Sequence, residues 1–396
     1  MTASKLENHP RPRKRHYSWS DPGVRAVVYQ GMALGIVAIV AWMLVSNTLH
    51  NLSVRNIATG FGFLGKEAGF AIGESVIPYD ASQSYSRAVL VGLLNTLRVA
   101  AVGIILATLL GTLIGIARLS GNRLLSGLCA AYIEVARNVP LLIQLFFWYA
   151  LVTETAPGPR QALHIVPGVF LSNRGLTVPA LDGAWATPVL SGLLCAVLAC
   201  WALVRYGRAY QGRTGRRLPV LWLGALLLAG MPALFFAASG TQVSLSVPYL
   251  GGFNFTGGMT VSPEFFALLM GLVTYTAAFI AEIVRSGIQA VKQGQWEAAD
   301  SLGLPRGRTL RLVVLPQALR VMIPPLTSQY LNLTKNSSLA VAIGYPDIVS
   351  IVNTTLNQTG QAIEGVLIIM AAYLTVSLSI SMAMNWYNQR LAARER

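Results

Sequence analysis

The sequence predicts an all-α, polytopic membrane protein with about eight transmembrane helices, and three observations predict it. Hydrophobic residues make up 54% of the 396 and charged residues 11%, well below the roughly 25% charge of soluble domains. The mean hydropathy is +0.55. The apolar residues also gather into runs near the roughly 20 residues that a helix needs to cross a hydrocarbon core. This composition argues against a globular soluble enzyme, which would need far more polar surface.

The runs follow in order. Residues Ala26 to Leu49 carry no formal charge, and Ala88 to Ala117 is interrupted only by Arg98. A third stretch, Leu124 to Val152, holds Glu134 and Arg137 in its first half. Asn138-Val139-Pro140 reads there as a helix cap with proline just inside the new helix, where its missing N–H costs nothing. A short interfacial helix to Arg137 and a true span from about Pro140 are therefore expected. Ala184 to Val204, Leu218 to Ala238, Pro263 to Val284, Leu319 to Gly344 and Ile363 to Trp386 complete the set.

Charge orients these runs. With alternating crossings and the N-terminus inside, the segments 1–25, 118–123, 205–217, 285–320 and 388–396 hold 22 of the 30 Lys and Arg. The opposite segments hold only Arg55, Lys66, Arg87, Arg160 and Arg174. Positive charge concentrates on the cytoplasmic side of membrane proteins, so both termini are expected there. The net charge of +15 then reflects topology, and no nucleic-acid partner is expected. The tail 1–25, with its basic run Pro10 to Arg15, serves as an orientation signal. It is not a cleavable leader, because the span behind it is too long and no clear cleavage site follows. Cys129, Cys195 and Cys200 lie in apolar runs and the four histidines are scattered, so neither a disulfide framework nor a metal site is expected.

The inner segment from Arg285 to Arg320 does not read as a linker. Gln295 to Leu302 suits a short helix, Gly303 a left-handed stop, and Pro305 forbids continuation. Ala298 and Ala299 would leave a flat surface of small residues. Trp296 would be a large amphipathic anchor of the kind enriched at interfaces. A basic helix with Arg306, Arg308 and Arg311 would follow, ending at Leu315-Pro316.

Glu297-Ala298-Ala299, Gly303 and Val313-Val314-Leu315-Pro316 together resemble the EAA motif of ABC importer permeases (E-A-A-x3-G-x9-I-x-L-P), with valine for isoleucine at 313. In that family the loop is a coupling helix that docks into the ATPase. The resemblance implies ATPase-coupling roles for Trp296, Glu297, Ala298, Ala299, Asp300, Gly303, Leu315 and Pro316. Gly92-Leu-Leu-Asn-Thr-Leu97, Tyr132 to Phe147, Leu315 to Arg320, Pro324-Pro325-Leu326 and Leu333 to Leu339 are similar to the polar amino acid branch, of the histidine/glutamate/glutamine/arginine type.

The likeness covers about residues 86–152 and 263–390. It implies a type I permease core of five helices in two parts, the second carrying the coupling loop 285–318. Around it lie the extra helix 26–49, the periplasmic segment 50–85, an insertion 153–262 with two more helices, and a short cytoplasmic tail 391–396. This enlarged layout resembles the large permease subunits of general L-amino acid importers. The implied partners are an ATP-binding subunit dimer, a second, non-identical permease, a periplasmic amino acid-binding protein and the lipid bilayer of a bacterial inner membrane. No cofactor is expected in this chain, ATP and Mg being bound by the ATPase. The chain itself is expected to hydrolyse nothing. Gly60-x4-Gly65-Lys66 approaches a phosphate loop, but Glu67 stands where a hydroxyl would bind Mg²⁺.

Ionisable groups inside a bilayer are costly and mark function or pairing. Glu134 and Arg137, and Glu282 and Arg285, stand three apart and can each pair on a helix face. They are read as ion pairs at the membrane boundary. Lys335 falls inside a predicted crossing and should face a subunit interface or a wet cavity. Asn332, Asn336, Ser337, Ser338 and Gln144, with Thr274 and Tyr275, offer donors and acceptors to an amino acid substrate and form the candidate translocation pathway. An ion-coupled secondary transporter would instead show duplicated halves with matching broken helices. A membrane enzyme would show a carboxylate, histidine or cysteine cluster at one face. Neither pattern is visible.

Overall fold

The computed structural model describes residues 22–54, 59–182, 185–215 and 218–393. The basic run of the N-terminal tail and the last three residues lie outside that set. Long unbroken apolar stretches form α1 (Pro22–Val54) and α2 (Tyr85–Arg118). α3 (Arg123–Asn138) starts at Asn122, whose side chain accepts from the amides of Leu124 and Leu125. It meets α4 (Leu141–Ala150), extended by a π turn to Thr155, at a bend of 104°. α5 (Ala186–Thr214) ends at Gly215 and packs against α6 (Val220–Ala238) as a hairpin. α7 (Pro263–Gln289) is capped by Ser262, with proline at its first position. α8 (Gln293–Ser301), α9 (Arg306–Thr309) and α10 (Leu315–Asn336) follow, the last two joined by a π turn, Leu310–Val314. A 3-10 segment (Ser337–Ile343), α11 (Ile348–Thr359) and α12 (Ala362–Ala393) complete the chain.

The fold is mostly helical, as expected, but among the described residues eight short strands stand outside the long helices. β1 (Leu163–Val166), β2 (Val169–Ser172) and β3 (Gly175–Val178) form an antiparallel sheet that β8 (Met259–Val261) joins against β3. β4 (Ala180–Asp182) pairs with β5 (Ser244–Ser246), and β6 (Tyr249–Gly251) with β7 (Asn254–Thr256). Strands of three or four residues are too short to show periodicity. The β3–β8 pairing joins segments on either side of the α5–α6 hairpin, so no local signal announces it.

Among the described residues six helices are long and apolar enough to cross a membrane, and the bent α3–α4 pair makes a seventh. The apolar stretch of α6, Trp222–Ala238, is shorter. The break at Pro140 falls where expected, with one correction. Asn138 is the last residue of α3 and caps nothing, while Pro140 is the residue before α4 and not its first helical position. The bend is closed by Gln144, whose Nε2 donates to the carbonyls of Ala136 (2.8 Å) and Val139 (3.0 Å).

The core is the contact of α2 with α7, into which α10, α4 and α11 pack. Gly103, Ala107, Gly111 and Gly115 recur every four residues along α2 and bring the two backbones together, the way helices associate in lipid where apolar burial gives little drive. A Cβ on Gly111 would lie 2.7 Å from Ile280 Cβ, and one on Gly115 would lie 2.6 Å from the Ala281 carbonyl. Gly111→Val should therefore force the helices apart and destabilise the chain by about 1–3 kcal/mol, read as a lower unfolding midpoint in nanodiscs. Leu113→Val, on the exposed face of the same helix, should leave the midpoint unchanged; equal midpoints for both would overturn the close-packing account.

Candidate functional site

At the end of the bundle where α2 and α7 finish, α8 lies across their termini. Helical geometry sorts its residues onto two faces. Trp296 turns toward the bundle and lines one cavity with the last turn of α2, together with the exposed Gln293 and Asp300. Ala299 is also buried, and Trp296 packs against the main core. Gly294, Glu297, Ala298, Ser301 and Leu302 form the opposite, exposed face, where Leu302 is 79% exposed.

The helix stops as its sequence dictates. Gly303 has φ +70, its amide donates to the Asp300 carbonyl (2.9 Å), and the Leu304 amide donates to the Ala299 carbonyl (3.1 Å). Gln317 Nε2 donates to Gln295 Oε1 at 3.2 Å and ties α8 to α10.

Three expectations for this segment need correction. Trp296 is an inward brace and not an outward anchor, because it shares a face with Asp300. Ala299 is buried, so the small-residue surface is Ala298 with Gly294 and Ser301. The basic helix does not end at Leu315-Pro316. Pro316 sits in the first turn of α10, directly after the π turn, where its absent N–H is tolerated. Leu315 is exposed and Pro316 half-buried.

Beside α8 lies a charge cluster. Arg118, at the end of α2, pairs with Glu282 Oε2 at 2.5 Å, and Arg285 pairs with the same carboxylate and reaches Gln289. The Glu282–Arg285 pair forms as its spacing foretold. Arg118 had no legible role, since its partner is 164 positions away. Glu134 and Arg137 do not pair. Arg137 instead lies over the Phe279 ring, 5.0 Å from its centroid, and Glu134 is exposed. The bend after α3 turns Arg137 toward α7, where a cation–π contact competes with the local pair.

The expected pathway residues do not share one face. Gln144 and Thr274 line a mostly apolar cavity of about 520 Å³. Both spend their hydrogen bonds within the chain, the Thr274 hydroxyl donating to the Met270 carbonyl at 2.7 Å. Tyr275 is half-buried with its ring 5.0 Å from that of Phe279. On α10, Asn332 and Lys335 are exposed and Asn336 is half-buried. Ser337 is fully buried and donates to the Thr334 carbonyl, while Ser338 donates to that of Lys335. Lys335 lies inside the candidate span Arg306–Ile343, two residues before α10 gives way to the 3-10 segment at Ser337.

The other end of the bundle holds a polar knot that sequence reasoning missed. Arg98, the lone charge of its run, pairs with Glu74 at 2.6 Å and lies over the Phe265 ring. Ser262 donates to the other Glu74 oxygen, and Asn95 Nδ2 donates to the carbonyls of Glu74 and Pro346. Asp347 caps α11, its Oδ1 accepting from the Ser350 amide at 2.8 Å. Burial pushes its carboxyl up to about 7, against the backbone donors that lower it. Asp347 directly after Pro346 and before an apolar run was the available cap signal.

A model of the family described as binding-protein-dependent transport system inner membrane component matches residues 213–394. The protein YhdX of Escherichia coli (strain K12) is 50% identical over 387 residues, 97% of this chain and 98% of its own length. The general L-amino acid transport system permease protein AapQ of Rhizobium johnstonii is 48% identical over 95% of this chain and 94% of its own. The glutamate/glutamine/aspartate/asparagine transport system permease protein BztB of Rhodobacter capsulatus is 41% identical over 95% and 96%.

Asp347 lies within the matched region and has a measurable signature. The folded chain holds its proton to about pH 7, whereas an unfolded aspartate releases it near pH 3.9. Unfolding therefore releases a proton between those limits, and this group's contribution to stability falls as pH rises from about 4 to 7. The whole effect amounts to at most about 4 kcal/mol. Asp347→Asn keeps the cap and should flatten that part of the profile of unfolding midpoint against pH; an unchanged slope would show that burial does not hold the proton.

Proposed function

The chain belongs to the family of inner membrane components of binding-protein-dependent transport systems, and from that premise we propose that it is the permease subunit of an ATP-driven importer of polar or broad-range L-amino acids. The observation that carries this reading is α8. Its inward face is braced by Trp296 and Ala299, its end is set by Gly303, and its outward face offers Glu297 and Ala298 to another molecule. A rigid short helix so mounted suits a lever. In this reading it docks into a separate ATP-binding dimer, which holds ATP and Mg, and closure of that dimer is transmitted through α7 and α10 as alternating access. The permease itself hydrolyses nothing.

A second, non-identical permease would complete the pathway, and a periplasmic amino acid-binding protein would deliver substrate to the end that carries the strands. The charge distribution supports an inner-membrane orientation with both termini and α8 in the cytoplasm. Asn332 and Lys335, exposed on this chain alone, would face the second permease or a wet path, because a lipid-facing lysine costs about 3 kcal/mol at a helix centre. Gln144, Thr274 and Tyr275 would support that path from behind and not line it.

The two faces of α8 separate coupling from stability. In the reconstituted assembly, Ala298→Trp should cut uptake and binding-protein-stimulated ATP hydrolysis by about tenfold or more while shifting stability by less than about 0.5 kcal/mol. Trp296→Ala should lower stability by about 2 kcal/mol, less than for a fully buried aromatic. Normal uptake in Ala298→Trp would remove the coupling role. Lys335→Met should impair uptake with the assembly intact; a loss of expression alone would make that lysine structural.

A further inference from the structure

Beneath the inward face of α8 lies a cavity of about 700 Å³, within the range that holds a substantial ligand. Its lining is mixed: Ile116 and Leu119 from the end of α2, Ile288 from α7, Leu310 from the π turn and Trp296 form an apolar side, and Ser120, Gln293 and Thr309 add polar atoms. Two charged side chains, Asp300 and Arg306, also line it. Both are exposed, and neither forms an ion pair or side-chain hydrogen bond with another of the described residues.

The depth of the cavity is informative. It opens at the last turn of α2, level with Arg118 and the Glu282–Arg285 pair, where the apolar span gives way to polar groups. Trp296 is the aromatic type that collects at this boundary. A small soluble ion would leave the apolar walls wet, and a bare hydrocarbon chain would leave Asp300 and Arg306 without partners. The lining calls for an amphiphile whose polar part carries both signs of charge. A phosphate suits Arg306, since arginine matches phosphate geometry in its donor fork. A primary ammonium, which supplies N–H donors, suits Asp300. Headgroup pockets between membrane helices on the basic side have this general make-up.

We propose that this cavity is a binding site for a zwitterionic aminophospholipid, with its phosphate on Arg306, its ammonium on Asp300 and the start of its acyl chains against Ile116, Leu119 and Ile288. The lipid fills the space under α8 and stiffens the helix from below. This site does not depend on which molecule the protein transports.

The test uses the complete assembly, purified with its partner subunits and exchanged into nanodiscs of equal phosphatidylethanolamine, phosphatidylcholine and phosphatidylglycerol. Lipids retained by the protein are then counted by native mass spectrometry. Phosphatidylethanolamine should be retained roughly threefold over the other two, and Asp300→Asn should bring it down to the level of phosphatidylcholine. Arg306→Gln should lower retention of all three lipids by about fivefold, with Arg306→Lys restoring most of it. Ala117→Trp, which fills the cavity without touching a charge, should also exclude the lipid. Preferential retention of phosphatidylglycerol, or unchanged retention in these variants, would overturn the proposal. So would displacement of the lipid by inorganic phosphate alone, which would make the site one for the free ion. Uptake measured on the same nanodisc-derived assemblies in vesicles judges the import reading separately.

Discussion

How closely α2 approaches α7 governs the rest of the molecule. In a bilayer, lipid tails are as apolar as leucine, so helices gain little by hiding leucine from their surroundings. What they gain is contact, and contact needs small residues. The four-residue repeat of Gly103, Ala107, Gly111 and Gly115 supplies it, with Ile280, Ala281 and Val284 of α7 seated against glycine backbone. This fixed spacing brings the end of α2 close enough for Arg118 to reach Glu282 across 164 positions. It also sets the floor on which α8 rests.

The inner end is then built as layers. The Arg118–Glu282–Arg285 cluster joins the two long helices at the polar boundary. Above it, α8 presses Trp296 and Ala299 inward and leaves Glu297 and Ala298 exposed. The turn at Gly303 and the hydrogen bond between Gln317 and Gln295 hold the far end against α10. A helix of nine residues has little stability alone, so its rigidity is borrowed from these attachments. That is the property the proposed coupling role asks of it.

The opposite end follows a different logic. There the bundle is closed by a polar knot of the half-buried Glu74, Arg98 and Ser262 and the buried Asn95, with the buried Asp347 beside it. Short strands from both sides of the α5–α6 hairpin pair above it. The hairpin and α1 carry apolar residues on their outer faces, which water would penalise and lipid does not. In the polar knot Arg98, Ser262 and the Asn95 amide nitrogen all bond to Glu74 rather than face hydrocarbon.

The sequence by itself determined the class of the protein, the location of its long apolar helices, the break at Pro140 and the Gly303 turn. These are local: run length, charge, proline and glycine act on their own neighbourhood. The Glu282–Arg285 pair was equally legible, because three residues on a helix are one face. What only the tertiary structure decided was direction and partnership. Whether Trp296 faces in or out depends on which side of α8 meets α2, and Arg137 chose Phe279 over Glu134 because α3 bends toward α7. Arg98 found Glu74, and β3 found β8, across separations that periodicity cannot bridge. Contacts between distant segments are selected by packing of the whole, so no window of the chain contains them.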